Sequence, residues 1–195
     1  MKKLCIFFIL GFVFLFPCFS QNVLMLGGEF NFLEPRFFGA GPGFNLKLFN
    51  EYIQNDFTVN FGGIWAKAAI VEIESEGEEA QLIQIEGGET QFNLLFYLRD
   101  SLYFTLEWNW VGIRTGIFAS LGAYQVVEFP TAYDFFGNGG AFAGIIILPK
   151  SLFSVTLDVC PGYAIAFRFK EGLSENDKGF SLSLALGIRF NFDKL

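Results

Sequence analysis

Large apolar side chains alternate with small or polar ones along most of this chain, with a period of two. The clearest run is FSLSLALGIRFNF, residues 180–192. Phe180, Leu182, Leu184, Leu186, Ile188, Phe190 and Phe192 occupy one phase; Ser181, Ser183, Ala185, Gly187, Arg189 and Asn191 occupy the other. A period of two is that of a β-strand, whose successive side chains point to opposite faces. A soluble sheet turns its bulky face to a core and charges the other freely. Here the second face is Ser, Ala and Gly with a single Arg. That suits the narrow, partly polar inside of a small barrel whose outside meets lipid.

The same pattern recurs upstream. Residues 24–33 place Phe30 and Phe32 opposite Glu29 and Asn31; in 43–48, Phe44, Leu46 and Leu48 oppose Gly43, Asn45 and Lys47. Residues 50–55 read as a polar connection. A third strand sets Phe57, Val59, Phe61 and Trp65 against Thr58, Asn60 and Gly62. Alternation returns at 92–98, followed by a turn at Arg99, Asp100 and Ser101, then by 102–110, where Thr105, Glu107 and Asn109 face away from the bulky residues. Residues 111–127 hold either one long strand or two turning near Arg114. A surface loop is expected at 129–138, a strand at 142–148, and a turn at Pro149 and Lys150. Residues 153–169 set Phe153, Val155, Leu157 and Val159 against Ser154, Thr156 and Asp158, with a bend at Pro161 and Gly162. A loop at 170–179 leads into the final strand. The expected fold is all-β: a transmembrane antiparallel up-and-down barrel of eight strands, or ten if the ambiguous stretch splits, with no helix after residue 20.

Composition sharpens this. The chain has 195 residues, enough for one domain. Phe numbers 28 beside 22 Gly, and outward Phe with inward Gly accounts for both excesses. Residues 1–20 read as an export signal: Lys2 and Lys3, an apolar run, Pro17, then Cys18 and Ser20 ahead of a cut before Gln21. The apolar run is too short for a membrane-spanning helix. Lipidation at Cys18 competes with that reading, but Pro17 fits it poorly. Residues 21–195 then form the barrel, with Cys160 alone and no internal disulfide. With no His, the commonest general base and metal ligand is missing. The net charge of −7, or −9 without Lys2 and Lys3, argues against nucleic acid as a partner.

With these features together, the chain resembles the small outer-membrane β-barrels of Gram-negative or spirochaete type, in the style of the OmpX, OmpA-barrel and OmpW-like proteins. The resemblance spans the chain after residue 20 and is most specific in the closing strand. It implies outer-membrane localisation after periplasmic transit, outer-membrane lipids as surroundings, and recognition by the barrel-assembly machinery through Phe180, Phe190 and Phe192. The chain departs from the pattern by continuing through Asp193, Lys194 and Leu195 rather than ending on Phe.

Three groups of residues are candidates for function. Glu29, Lys47, Glu107, Asp158 and Arg189 fall on the inward phase. An eight-stranded barrel is only wide enough for side chains to fill it, so these charges are expected to pair as a luminal plug, with a gated polar path as the sharper alternative. Glu29 and Lys47 are expected to face each other across the first hairpin. Glu72, Glu74, Glu76, Glu78 and Glu79 belong to an acidic outer hairpin around 70–89, which has no Lys or Arg. It reads as a solvated surface loop; a cation or specific partner is the sharper alternative, without the spacing of a calcium loop. Trp65, Trp108 and Trp110, with Tyr97 and Tyr103, suit an interfacial girdle on one rim. Cys160 is a lumen filler rather than a nucleophile. No catalytic, cofactor or metal residue is assigned, and enzyme activity is not expected. Two functions survive: structural, adhesin-like display through outer loops toward host ligands, or transport of small or hydrophobic solutes.

Overall fold

The computed structural model describes residues 23–48, 52–67, 70–75, 80–85, 90–125, 133–167 and 176–192. The expected export signal, and Glu76, Glu78 and Glu79, lie outside them. Ten strands follow in order: β1 (Val23–Asn31), β2 (Arg36–Lys47), β3 (Ile53–Lys67), β4 (Ile70–Ser75), β5 (Ala80–Ile85), β6 (Thr90–Glu107), β7 (Val111–Gln125), β8 (Tyr133–Ile147), β9 (Phe153–Phe167) and β10 (Asn176–Asn191). Eight of them close an antiparallel barrel in the order β1-β10-β9-β8-β7-β6-β3-β2, and β4 and β5 form a separate two-stranded sheet. Chain neighbours are therefore wall neighbours, except where the β4–β5 hairpin is inserted between β3 and β6. The acidic hairpin expected at 70–89 is present as these two strands, with Ser75 opposite Ala80.

The register fixes the barrel's shape. A row of paired residues starting at Tyr163 passes through Gly139, Ala119, Asp100, Phe57, Phe44, Leu24 and Phe190, and returns to β9 at Phe153. It left that strand at residue 163 and rejoins it at 153, a stagger of ten residues. With strands about 4.8 Å apart rising about 3.3 Å per residue, that stagger tilts them about 40° from the axis. Such a tilt is usual for transmembrane barrels. Pro42 and Pro161, which have no N–H to donate, lie where the β2–β3 and β8–β9 ladders skip two positions without losing register.

The two ends differ. Strands β2 and β3, β6 and β7, and β8 and β9 are separated by five, three and five residues at the end where β1 begins and β10 finishes. The other end carries the turn at 32–35, the inserted hairpin and the longer connections 126–132 and 168–175.

Two sequence expectations are corrected, and one open choice is decided. Arg99, Asp100 and Ser101 do not turn: β6 runs through them, with Arg99 and Ser101 buried inside and Asp100 exposed outside. Three consecutive polar residues have turn chemistry, but a charged residue facing a filled lumen has it too, and Leu98 and Leu102 keep one phase across the triplet. Residues 111–125 form one strand, so the barrel has eight strands, not ten. Of the loop expected at 129–138, residues 133–138 belong to β8, which begins at Tyr133; the rest lies outside the described residues.

Candidate functional site

The chemistry of this barrel is inside it. Along β10, Phe180, Leu182, Leu184, Leu186, Ile188 and Phe192 are exposed, while Ser181, Ser183 and Arg189 are buried. The barrel strands repeat this division, and the inward phase carries most of the ionised groups away from the strand ends.

Two linked clusters cross the lumen. In the first, Arg99 on β6 pairs with Glu29 on β1 (Nη1–Oε2, 2.6 Å) and donates to Cys160 Sγ on β9 (3.3 Å) and Ser101 Oγ (3.3 Å). Ser181 donates to Asn138 Oδ1 (2.9 Å), whose amide nitrogen lies 3.5 Å from Glu29 Oε1. In the second, Arg114 on β7 donates from Nη2 to Oδ2 of Asp158 on β9 (2.9 Å), with its Nε 2.9 Å from Oδ1 as an ion contact, and also pairs with Asp56 on β3 (3.0 Å). Asp56 further accepts from Arg189 on β10 (2.7 Å), Asn45 on β2 (2.7 Å) and the Tyr103 hydroxyl on β6 (3.1 Å). Arg189 also donates to the Tyr103 hydroxyl.

Three guanidinium groups thus balance three carboxylates, and all six residues are buried. A further buried acid, Asp134, sits near the loop end of β8. Each arginine also lies against an aromatic face: Arg99 is 4.4 Å from the Phe118 ring centre, and Arg114 and Arg189 are 4.3 Å and 5.5 Å from that of Tyr103. An arginine fork matches carboxylate geometry and is more weakly hydrated than an ammonium, which suits it to buried pairing. The side chains come from facing walls, so the lattice cross-braces the tube as well as filling it.

Toward the loop end, the lumen is closed by an apolar cluster that includes Phe37, Ile64, Leu95, Tyr97, Tyr124 and Phe136. Phe37, Tyr97 and Phe136 meet edge to face at 4.7–6.0 Å. Gly39 makes room for it, because a Cβ there would run into the Tyr97 ring. Beside the first cluster lies a cavity of about 30 Å³ bordered by Gly27, Gly187, Arg99 and Asp158, a space on the scale of a few waters.

Of the five charges expected in the lumen, Glu29, Asp158 and Arg189 come together there. Lys47 does not: it is exposed at the last position of β2. It also cannot meet Glu29, which sits opposite Gly39 near the other end of the hairpin. Glu107 is half-buried at the end of β6, 3.5 Å from the Gln54 amide and outside the lattice. Both lie where the tube opens to solvent, so neither needs a buried partner. Sequence reasoning missed Asp56, left between the polar connection 50–55 and the strand from Phe57; Arg99, assigned to a turn; and Arg114, at which a turn was one alternative. The signal that finds them is strand phase: each shares parity with inward neighbours such as Thr58, Tyr97 and Gly116.

Tyr97 and Tyr103 belong to the lumen rather than the girdle, being 0% and 2% exposed. The three tryptophans divide between the two ends instead of sharing one. Trp65 pairs with Arg36 near the loop end, whereas Trp108 and Trp110 sit in the β6–β7 turn at the other. Among the described residues no three of His, Cys, Asp and Glu gather as a metal site requires.

No family model matches the chain, and no curated protein matches it. Among solved structures it is similar to a major outer membrane protein from Thermus thermophilus, with 11% identity over 88% of this chain and 98% of that one, at a TM-score of 0.41.

Proposed function

We propose that this protein is an integral outer-membrane β-barrel with a closed lumen, a rigid scaffold that displays its outer loops and the acidic hairpin to the surroundings in an adhesin-like role. The observation that carries the reading is the polarity of the wall. Among the described residues, 34 large apolar or aromatic side chains are exposed. At roughly 80–100 Å² each they amount to on the order of 3,000 Å², several times the largest apolar patch of a soluble monomer. On two neighbouring strands they are also ordered in height. On β9, Val155, Leu157 and Val159 lie between Phe153 and Tyr163; on β10, Leu182 to Ile188 lie between Phe180 and Phe190. An aliphatic band between two aromatic belts matches hydrocarbon between two headgroup layers. Short turns at one end and long connections at the other fit the periplasmic and outer sides of such a barrel.

The display role is supported by the filled lumen, since a path for solutes would have to break paired, buried charges. The competing transport reading has the small cavity beside Arg99 in its favour. Conductance separates the two. The refolded protein in planar bilayers is expected to give no discrete single-channel steps, and protease is expected to cut the hairpin region while sparing the strands. Regular channel openings in the wild-type protein would replace display by transport.

A further inference from the structure

The wall has one polar spot that neither the lumen nor the headgroups accounts for. Asp100 points outward from the middle of β6 and is exposed. Along the paired row described above it lies three of eight strand steps below Tyr163, which sets it level with about Val159. That is the middle of the aliphatic band, between the heights of Phe153 and Tyr163. The other exposed charges on the described barrel strands, Arg36, Lys47 and Lys178, all lie within three residues of a strand end, where a long side chain reaches the interface. An aspartate has no such reach.

Its partner on the wall is Asn55 of β3, whose amide nitrogen donates to Asp100 Oδ1 at 2.5 Å and has only the distant Ser101 carbonyl (3.4 Å) for its second N–H. Ala119 on β7, between the exposed Ile117 and Leu121, and Gly139 on β8 continue the row from Asp100, and on β8 Gly139, Ala141 and Ala143 form a flat strip. A flat strip lets another wall approach closely. A donor next to an acceptor is also what a two-fold interface requires, because there residue i meets j while j meets i.

We propose that this face, β3 and β6 with the flat strip on β8 beyond them, is the contact between two copies of the chain, side by side in the membrane. Asn55 of each copy donates its second N–H to Asp100 of the other, and the two amides separate the two carboxylates. The described strands offer no cation at that height, so the amide donors are what the carboxylates have. The pairing takes the polar spot out of lipid.

The inference rests on the membrane reading above, and its test keeps the two apart. Labelled protein is refolded into dilute phosphatidylcholine vesicles, where photobleaching steps count copies and protease protection reads insertion. Wild-type protein is expected to bleach in two steps. Asp100→Leu, which removes a lipid-facing charge and leaves the lumen alone, is expected to insert and to lower the dimer fraction at least tenfold. The exchange Asn55→Asp with Asp100→Asn, which swaps donor and acceptor within the same interface, is expected to restore it. Wild-type protein that inserts but bleaches in one step overturns the interface alone, as does an Asp100→Leu variant that still dimerises. Failure to insert overturns both.

Discussion

Replacing Asp56 by asparagine tests whether the luminal lattice holds the barrel together. The side chain keeps its shape and loses its charge, leaving three guanidinium groups facing two carboxylates. Arg114 loses its pairing with Asp56 but retains its ion pair with Asp158. Arg189 keeps the Tyr103 hydroxyl but loses the carboxylate that held it at 2.7 Å. Removing one member of a buried pair costs about 3–5 kcal/mol, mostly because the other charge stays buried without compensation. The asparagine oxygen still accepts one bond, so a loss of about 3 kcal/mol is expected, near the lower end of that range. A second change, Arg189→Met, removes the stranded charge with a side chain of comparable length. The D56N/R189M protein is therefore expected to recover about 2 kcal/mol relative to the sum of the single variants. Urea unfolding from lipid vesicles, followed by tryptophan emission, measures all four corners of the cycle. If D56N lies within about 0.5 kcal/mol of wild type, or the cycle is additive, the pairs contribute no net stability and the lattice is only filling.

The face assignment has its own test. Leu184, exposed at mid-height on β10, should cost about 2–4 kcal/mol when changed to Arg if it meets lipid. Ser183→Arg should fail instead by overfilling a site with no exposed surface; a harmless L184R in lipid refolding titrations would reverse the two faces. Cys160 reports on closure. It is buried behind Arg99, so a water-soluble maleimide should label it in urea and leave it unmodified in the folded barrel, and equal labelling rates would mean an open lumen.

Much of this architecture is legible in the sequence because a barrel wall is a local code. The parity of each strand decides which side chains face out, and seven alternating bulky residues at 180–192 declare it without reference to any other strand. The excess of Phe and Gly and the acidic hairpin at 70–89 are equally local. Even the turn expected at Arg99 went wrong only because three polar residues were weighed above the phase of Leu98 and Leu102.

Partnership across the lumen is different in kind. Arg114 reaches Asp56 and Asp158 from strands 58 and 44 residues away in the chain. Which carboxylate meets which arginine is set by strand order and by the ten-residue stagger of closure, and no single strand contains that information. Lys47 and Glu107 have the right parity and the wrong height. Tyr97 and Tyr103 have girdle chemistry but fill the interior, because their odd positions turn them inward. Parity along one strand told inside from outside; only the closed, tilted sheet decided height and partner, since those depend on how eight strands are staggered against one another.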